Sequence, residues 1–385
     1  MVYFNNAATS FPKPEAVIRA VDNALRLEPY NSYRENVTRK SETDICRKKI
    51  SELLNFPDYK RVVLCSGSTE AINIAVNGII KRDVHNDKHR INHVITTQSE
   101  HNSMLRPLYH LRDLGIIQMD VIACNRNGKI HMDDIQNKLD INTCLVAVNH
   151  ASNVTGVIQD IDSIYNLCAR REIPTLFDIS QSAGCVDIDI SEKPLAMYAF
   201  TGHKSLLGPS GTGGLLVGNN IDLNVWQTGG TGIKSDLETM PDILPVRYEP
   251  GTNNHHGIAG LAASVTHITE KGVQYFGNKK NKIANYLINE LCHINGISTY
   301  SDTGESNPCG VVSFIVKGTH PGDVGYILFE SFNIRVRTGL HCAPLIHKAM
   351  GTFPNGTVRA SFSSFNTLGE VDQLIQALKF ITEVN

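Results

Sequence analysis

One lysine stands out in the 385-residue chain because of its neighbours. Lys204 follows the apolar run Met197–Phe200 and the triplet Thr201-Gly202-His203, and a glycine-rich segment, residues 208–214, comes after it. Such an apolar run predicts a short buried strand, so Lys204 would stand at a strand end between glycine turns. An amine withdrawn from water in this way is suited to forming a Schiff base with a carbonyl cofactor.

A second candidate for chemistry is Cys342, in the run Arg337-Thr338-Gly339-Leu340-His341-Cys342-Ala343-Pro344. The glycine and proline favour an accessible loop, and cationic neighbours favour the nucleophilic thiolate. The alternative is a buried structural cysteine. That structural role is the one expected for the rest of the nine cysteines, which show no Cys-x-x-Cys spacing.

Polar residues also follow four short apolar runs that read as buried strands, namely Val62–Cys65, His93–Thr97, Cys144–Val148 and Pro174–Phe177. The side chains that come after these strands are Ser68, Thr69, His101, Asn153, Asp178 and Gln181. In open parallel sheets, ligands bind beyond the carboxyl ends of the strands, so these side chains would meet on one rim.

Each of these signals has an ordinary alternative. Ser68 and Thr69 at a helix start would suit a phosphate, although hydroxyl residues there are more often plain N-caps. Asp178 is either an N-cap or the partner of a buried cation such as a pyridinium nitrogen. A histidine such as His101 is usually a satisfied loop residue. Arg359, inside the apolar stretch 358–362, either makes a surface salt bridge or grips a carboxylate with both of its donors.

The order of the segments predicts the fold. Helical patterns over Glu70–Ile80, Ser103–Leu114 and Asp160–Arg171 alternate with the strands, which indicates a mostly parallel sheet covered on both faces. The last third differs and reads as α+β. It has helices over Ile258–Lys271, Asn278–Cys292, Asp323–Phe332 and Leu368–Thr382, and strands over Val311–Val316, Ile334–Arg337 and Thr357–Phe362. We expect Val311–Val316 to be half-exposed, and a domain boundary near residue 255.

Composition excludes several other classes. The formal net charge is −2 with no long basic run, so nucleic-acid binding is not expected. A secretory signal, a membrane span and a metal site are not expected either, and the scattered cysteines fit a reduced, cytoplasmic protein. The glycine-rich segments complete neither a dinucleotide-binding nor a Walker A motif.

Four motifs together resemble the cysteine desulfurase-like branch of the class V, fold-type I, pyridoxal-phosphate (PLP) aminotransferases. They are Thr201-Gly202-His203-Lys204, Asp178-x-x-Gln181, Glu249-Pro250-Gly251-Thr252 and Arg337-x-Gly339-x-His341-Cys342-Ala343. The resemblance runs from Tyr3 to Thr367. It implies an α/β fold with a large PLP-binding domain, residues 15–255, and a small α+β domain formed by residues 1–14 and 256–385.

The resemblance also implies roles for particular residues. Lys204 would form the Schiff base with PLP and move the substrate α-proton, Asp178 would pair with the pyridinium nitrogen, and Cys342 would attack the sulfur of L-cysteine. The other implied contacts are Gln181 with the phenolic oxygen, His101 on the ring face, Ser68, Thr69, Thr201 and His203 with the phosphate, Thr252 with the phosphate of a neighbouring subunit, and Asn153, Arg337 and Arg359 with the substrate. A homodimer, alanine as product and a sulfur-acceptor protein would follow.

Three departures bear on substrate and acceptor. Ile179-Ser180 replaces smaller residues, Leu340 replaces a polar residue, and the segment 32–38 lacks a histidine that short-loop desulfurases carry. The alternative hypotheses for the function are a selenocysteine lyase, a cysteine lyase, an aminotransferase, and a PLP-binding sulfur-relay protein that needs a partner.

Overall fold

The computed structural model describes residues 1–27, 41–80, 92–301 and 306–384. The helices are α1 (Glu15–Arg26), α2 (Glu42–Leu54), α3 (Ser68–Ile79), α4 (Asn102–Asp113), α5 (Met132–Lys138), α6 (Ile161–Ala169), α7 (His255–Lys271), α8 (Val273–Leu291), α9 (Pro321–Phe332), α10 (Pro344–Met350) and α11 (Leu368–Val384). The strands are β1 (Val2–Tyr3), β2 (Val62–Cys65), β3 (Asn92–Thr97), β4 (Ile117–Ile122), β5 (Thr143–Asn149), β6 (Thr175–Asp178), β7 (Ala196–Thr201), β8 (Gly213–Val217), β9 (Ile297–Thr299), β10 (Val311–Val316), β11 (Ile334–Arg335), β12 (Arg337–Gly339) and β13 (Thr357–Ser361).

A seven-stranded sheet in the order β2-β8-β7-β6-β5-β3-β4 forms the centre of the larger part of the chain. Strands β3 to β7 pair in parallel, whereas β8 runs antiparallel to both of its neighbours, β7 and β2. Because β8 is antiparallel to both β2 and β7, these two strands run in the same direction. The carboxyl ends of β2, β3, β5, β6 and β7 therefore open on one edge.

Both faces of this sheet are covered, which explains why β2, β7 and β8 are mostly apolar, whereas the edge strand β4 is buried only at its two ends. In β2, Val62 and Leu64 belong to the core that α2, α6 and α7 cover, while Val63 faces the core formed with α3 and α4. Side chains that alternate across a pleated sheet reach both layers in this way. The predicted fold class, an α/β sheet with helices on both faces and a smaller α+β part, is confirmed.

The smaller part is an antiparallel sheet in the order β12-β13-β10-β9, covered by α8, α9 and α11. The first strand of the chain lies in a separate two-stranded sheet of this smaller part. Strand β1 pairs in parallel with β11, and Phe4 is fully buried against Phe362, with ring centroids 5.0 Å apart. The division at residues 15–255 stays a proposal, and α7 packs into the core of the large sheet.

Two expectations about the smaller part are wrong. Strand β10 is not half-exposed, because every residue of it except Ile315 is buried. The polar position within it, Ser313, is satisfied internally by donating a hydrogen bond to the Val154 carbonyl oxygen. The predicted strand Ile334–Arg337 is two strands in different sheets, since β11 pairs with β1 and β12 pairs with β13.

Within the described ranges, no helix combines the length and the apolarity needed to cross a membrane.

Candidate active site

Lys204 lies just beyond the carboxyl end of β7, where the chain turns back. The Gly208 N–H donates to the Gly202 carbonyl oxygen at 2.7 Å, and the Leu207 N–H donates to that of Lys204 at 2.9 Å. The side chain is partly buried in a recess that Asn6, Ser10 and Gln181 also line. Burial lowers the pKa of Lys204, and the Asp178 carboxylate partly opposes this effect. A desolvated amine is easier to deprotonate and therefore more nucleophilic.

The amino end of α3 forms an uncapped anion site beside β7. Its N-cap is Gly67, which has no side chain to satisfy the first N–H groups of the helix, and Ser68 is buried. A Cβ on Gly67 would stand 3.4 Å from Thr201 Oγ1, and one on Gly213 would stand 2.5 Å from the Cα of Gly67. These glycines let the backbone approach closely and leave exposed N–H dipoles for an anion. Thr69 is exposed at the rim of the site.

Asp178 is the last residue of β6, Gln181 lies in the turn that follows, and both are buried. Asp178 Oδ1 accepts a hydrogen bond from the Ser180 N–H at 2.9 Å, so its carboxylate is fixed by its own turn and caps no helix. Gln181 Nε2 donates to the Ala7 carbonyl oxygen at 3.0 Å, which links this turn to the beginning of the chain.

His101 is the N-cap of α4 and stays neutral. Its Nδ1 accepts from the Ser103 N–H at 3.1 Å and pairs with Ser103 Oγ at 2.8 Å. Because Nδ1 accepts, the ring proton of the neutral form sits on Nε2. Burial lowers the pKa of His101 to about 3, and the charges of Lys204 and Arg337 add to this effect. A neutral aromatic ring is well suited to lie against a planar ligand.

Cys342 sits on a loop with unusual backbone geometry. His341 and Cys342 have φ of 49° and 60°, the left-handed region that side chains other than glycine seldom adopt. Three hydrogen bonds hold the loop. Asn153 Nδ2 donates to the His341 carbonyl oxygen at 2.8 Å, the Asn102 N–H donates to that of Cys342 at 2.7 Å, and His341 Nε2 lies 3.0 Å from Thr357 Oγ1. Arg337 Nη2 lies 3.3 Å from Cys342 Sγ, so a cation stands directly beside the thiol.

Arg359 is buried, only 1% exposed, and so the interpretation as a surface salt bridge is wrong. Its Nη1 donates to the Asn153 carbonyl oxygen at 2.8 Å and its Nη2 to Asn5 Oδ1 at 3.3 Å, while Nε has no partner. Among the described residues no carboxylate pairs with it. Strand pairing places Arg337 directly opposite Arg359. Two like charges across a strand pair repel each other, so an anionic ligand would stabilise this arrangement.

Two further predicted residues flank the site. His203 is partly buried with an orphaned Nδ1, and burial together with the Lys204 and Lys13 charges lowers its pKa to about 4. Thr252 is exposed and lines a recess with Cys65, Ser66 and Glu70 at the start of α3. The segment 32–38 lies outside the described residues.

The expectation that the other eight cysteines are all buried structural residues is wrong in part. Cys46, Cys168, Cys185 and Cys309 are buried, but Cys65, Cys124 and Cys144 are only partly buried and Cys292 is exposed.

Sequence reasoning also missed a buried acid, Glu100, next to His101. Its Oε1 accepts from Thr97 Oγ1 at 2.7 Å and from the Asn149 N–H at 3.0 Å, while Oε2 is buried without a partner. Burial raises the pKa of Glu100 to about 8. Its only sequence signal was the position after β3, among other polar residues.

Comparison with known proteins agrees with this geometry. Residues 2–374 match the model of the family described as aminotransferase class-V. The chain belongs to the class-V aminotransferase family. A probable cysteine desulfurase of Pyrococcus abyssi is 31% identical over 98% of this class-V chain and 94% of its own length.

Solved structures of the class-V family point the same way. The apo cysteine desulfurase of Thermococcus onnurineus NA1 superposes with a TM-score of 0.87 at 29% identity, covering 100% of this chain and 95% of its own. The cysteine desulfurase CsdA of Escherichia coli gives 0.86 at 25% identity, covering 99% and 94%. The chain is thus a cysteine desulfurase-like member of the class-V family.

The residues fit pyridoxal phosphate, the cofactor of this family. The helix start at Gly67–Ser68 provides uncapped N–H donors for a phosphate, and Lys204 provides a desolvated amine. Asp178 provides a buried carboxylate for a pyridinium nitrogen, and His101 a neutral ring. Each chemical part of the cofactor has a matching group on one sheet edge.

Proposed function

We propose that this chain is a PLP-dependent cysteine desulfurase that converts L-cysteine to L-alanine and leaves a persulfide on Cys342. The observation that carries the proposal is the position of Cys342. Its thiol is next to Arg337, on a loop clamped by Asn153 and by the start of α4.

The arginines give the substrate its orientation. Arg359 is buried without a carboxylate partner in the described part of the chain, and its Nε is unsatisfied. A substrate carboxylate would supply the missing acceptor and balance the charge. We assign the α-carboxylate of the amino acid to this position.

PLP, held by Lys204, Asp178, Gln181, His101 and the α3 start, would supply the electron sink for breaking bonds at the substrate α- and β-carbons. Lys204 Nζ takes the α-proton and returns it, which its lowered pKa allows. His203 and Thr201 complete the phosphate site together with Ser68 and Thr69.

Cys342 carries out the sulfur transfer. Its thiolate attacks the substrate sulfur, an S–S bond forms, and the C–S bond breaks. The electron pair of the broken bond stays with the carbon, which also receives the proton of the substrate thiol, so alanine and the Cys342 persulfide are the products. Arg337 stabilises the negative charge on Cys342 before the attack and on the persulfide after it.

Assembly and sulfur delivery complete the proposal. Thr252 lies exposed beside the α3 start, so a homodimer in which Thr252 of one subunit approaches the phosphate site of the other is consistent with its position. A cytoplasmic sulfur-acceptor protein would take the persulfide sulfur from Cys342.

In the experiment, the purified, PLP-loaded chain is incubated separately with L-cysteine, with L-selenocysteine, and with L-alanine plus a keto acid. Alanine formation and a gain of one sulfur atom on the Cys342 peptide by mass spectrometry are expected with cysteine. Cys342→Ala should keep the cofactor absorbance and lose the persulfide, and Lys204→Ala should lose the absorbance of the lysine-bound cofactor. A wild-type rate of sulfide release from Cys342→Ala, or turnover with alanine and keto acid alone, overturns the proposal.

A further inference from the structure

A buried lysine on α8 has no role in the proposed reaction, yet it contacts the segment that carries Lys204. Lys280 is only 4% exposed, and its Nζ donates a hydrogen bond to Ser205 Oγ at 2.9 Å. Ser205 directly follows Lys204 in the sequence. No carboxylate pairs with Lys280 in the part of the chain that the structure describes. The smaller part of the molecule thus reaches the turn after β7 through one side chain.

Ser205 extends this contact to a second strand end of the candidate site. Its Oγ donates to the Gln181 carbonyl oxygen at 2.7 Å. A hydroxyl group has one proton to donate, so Ser205 accepts from Lys280 and donates to Gln181. The resulting chain of hydrogen bonds connects α8, the turn after β7 and the turn after β6.

Close packing holds the stem of Lys280. A Cβ on Gly310 would stand 2.9 Å from Lys280 Cβ, and one on Gly277 would overlap the Cys185 carbonyl oxygen. Because both glycines lack a Cβ, α8 lies directly against the segment after β6 and the turn before β10. The Lys280 amine therefore meets Ser205 from a rigid support.

The position of Lys280 is unfavourable for stability alone. Burying an ammonium group that no carboxylate neutralises costs free energy, and an apolar side chain of similar length would fill the same space without that cost. Lys280 lines one recess together with Lys204, Ser205 and Gln181. A residue that opposes folding but stands beside a reactive group is typical of a functional site.

We propose that Lys280 is a positioning residue that, through Ser205, keeps Lys204 and Gln181 in the geometry that the reaction requires. The inference rests on the part of the proposed function in which Lys204 Nζ moves the substrate α-proton. Fixing the two turns against each other fixes the Lys204 amine relative to the cofactor site. Proton transfer depends steeply on such geometry, whereas the contact between Arg359 and the substrate carboxylate does not involve these turns.

The test begins with Lys280→Met, which keeps the approximate length of the side chain and removes its hydrogen bond. We expect kcat for alanine formation to fall about 3- to 10-fold, with KM for L-cysteine unchanged within about twofold. Ser205→Ala should behave in the same way, and Ser205→Thr, which keeps the hydroxyl group, should recover most of kcat. Lys282→Met is the matched control, because Lys282 is exposed on the same helix, and it should keep the wild-type kcat.

The free energy of unfolding distinguishes positioning from loss of structure. In urea denaturation, Lys280→Met should be at least as stable as wild type, because the substitution removes a buried cation that no carboxylate neutralises. A lower kcat together with unchanged or increased stability supports the inference. A lower kcat that accompanies a lower free energy of unfolding overturns it, since Lys280 would then be a structural residue.

Two further measurements on the PLP-loaded chain do not require sulfur transfer. The visible circular dichroism of the cofactor should weaken in Lys280→Met and Ser205→Ala at unchanged absorbance, because a less rigid support orients the cofactor less uniformly. The α-proton of L-alanine should exchange with solvent D2O, followed by NMR, about 3- to 10-fold more slowly in these variants than in Lys282→Met.

These measurements separate this inference from the proposed desulfurase activity. Equal dichroism and equal exchange rates in wild type, Lys280→Met and Ser205→Ala overturn the inference, whatever the chain does with L-cysteine. Slower exchange in the two variants supports it even if no persulfide forms on Cys342, a result that would refute the desulfurase proposal alone.

Discussion

The backbone N–H of Asn102 donates a hydrogen bond of 2.7 Å to the carbonyl oxygen of Cys342. The first residue belongs to the start of α4 beside the large sheet, and the second to the loop after β12 in the small sheet. The bond therefore joins the ring of His101 and the thiol of Cys342 into one unit. A movement of the small sheet relative to the large one would therefore have to break this bond or move the start of α4 with it.

Asn153→Ala should lower kcat without removing the cofactor. The Asn153 amide clamps the left-handed turn at His341 and Cys342, and one hydrogen bond of this kind contributes roughly 0.5–1.5 kcal/mol. We expect a fall of about 3- to 10-fold in kcat for desulfuration, measured by steady-state alanine formation, with unchanged cofactor absorbance. Asn219→Ala, at an exposed turn after β8, is the control. Full activity of Asn153→Ala would show that the clamp is dispensable.

Arg359→Met should weaken binding of the amino-acid substrate. A hydrogen bond to a charged partner contributes roughly 1.5–3 kcal/mol, which corresponds to a rise in KM of about 10- to 100-fold. Arg335→Met is the matched control, because Arg335 is exposed on β11 and stands over the Phe329 ring. A KM for L-cysteine that is raised equally in both variants would rule out a specific carboxylate site at Arg359.

Stability should depend on pH through Glu100. Burial raises the folded-state pKa of Glu100 from 4.5 to about 8, so folding favours the protonated acid. This contribution is complete below the unfolded-state pKa and is lost as the pH rises through about 8. Glu100→Gln keeps a neutral side chain of the same shape at every pH.

Wild type and Glu100→Gln should therefore have similar free energies of unfolding near pH 4.5. The variant should become more stable than wild type as the pH rises to about 8. The gain approaches roughly 1.4 kcal/mol per pH unit, measured as the difference in urea denaturation midpoints converted with the m-value. Glu52→Gln, at an exposed position, should show no such trend. A difference between wild type and Glu100→Gln that does not vary with pH would contradict a neutral Glu100.

Removing one partner of the buried ion pair between Arg47 and Glu249 should lower the free energy of unfolding more than replacing both partners by apolar residues. Arg47 Nη2 lies 2.5 Å from Glu249 Oε2, both side chains are buried, and Glu249 Oε1 accepts from the Leu64 N–H at 2.6 Å. Arg47→Met should cost roughly 3–5 kcal/mol because it strands a buried carboxylate.

The double variant Arg47→Met with Glu249→Leu should cost less than Arg47→Met alone, as judged by urea denaturation. Arg19→Ala breaks an exposed pair with Glu15 and should cost no more than about 0.5 kcal/mol. If the double variant is as unstable as the sum of its two single variants, the pair is not coupled.

The sequence was most informative where residues act through local order. Parallel strands place their carboxyl ends on one edge, so Ser68, Asp178 and Lys204 could be expected together without knowing any contact. It was less informative where a partner lies far along the chain. The alternation at Ser313 suggested an exposed face, but the Val154 carbonyl oxygen satisfies that hydroxyl inside the molecule. Glu100, and the contact between Lys280 and Ser205, depend on tertiary neighbours that no local pattern reveals.

The pairing of Phe4 and Asn5 with residues near the other end of the sequence has a consequence for biosynthesis. The Phe4 N–H donates to the Arg335 carbonyl oxygen at 2.8 Å, the Ser361 N–H donates to that of Phe4 at 2.8 Å, and Asn5 accepts from Arg359. Phe4 and Asn5 are thus synthesised more than 300 residues before the partners that they pair with. At roughly 5–20 residues per second, the delay is some tens of seconds. During that interval the nascent chain has Lys204 and the start of α3 but lacks Arg359, so a chain stalled before residue 359 would miss the buried guanidinium that we propose as the contact for a substrate carboxylate.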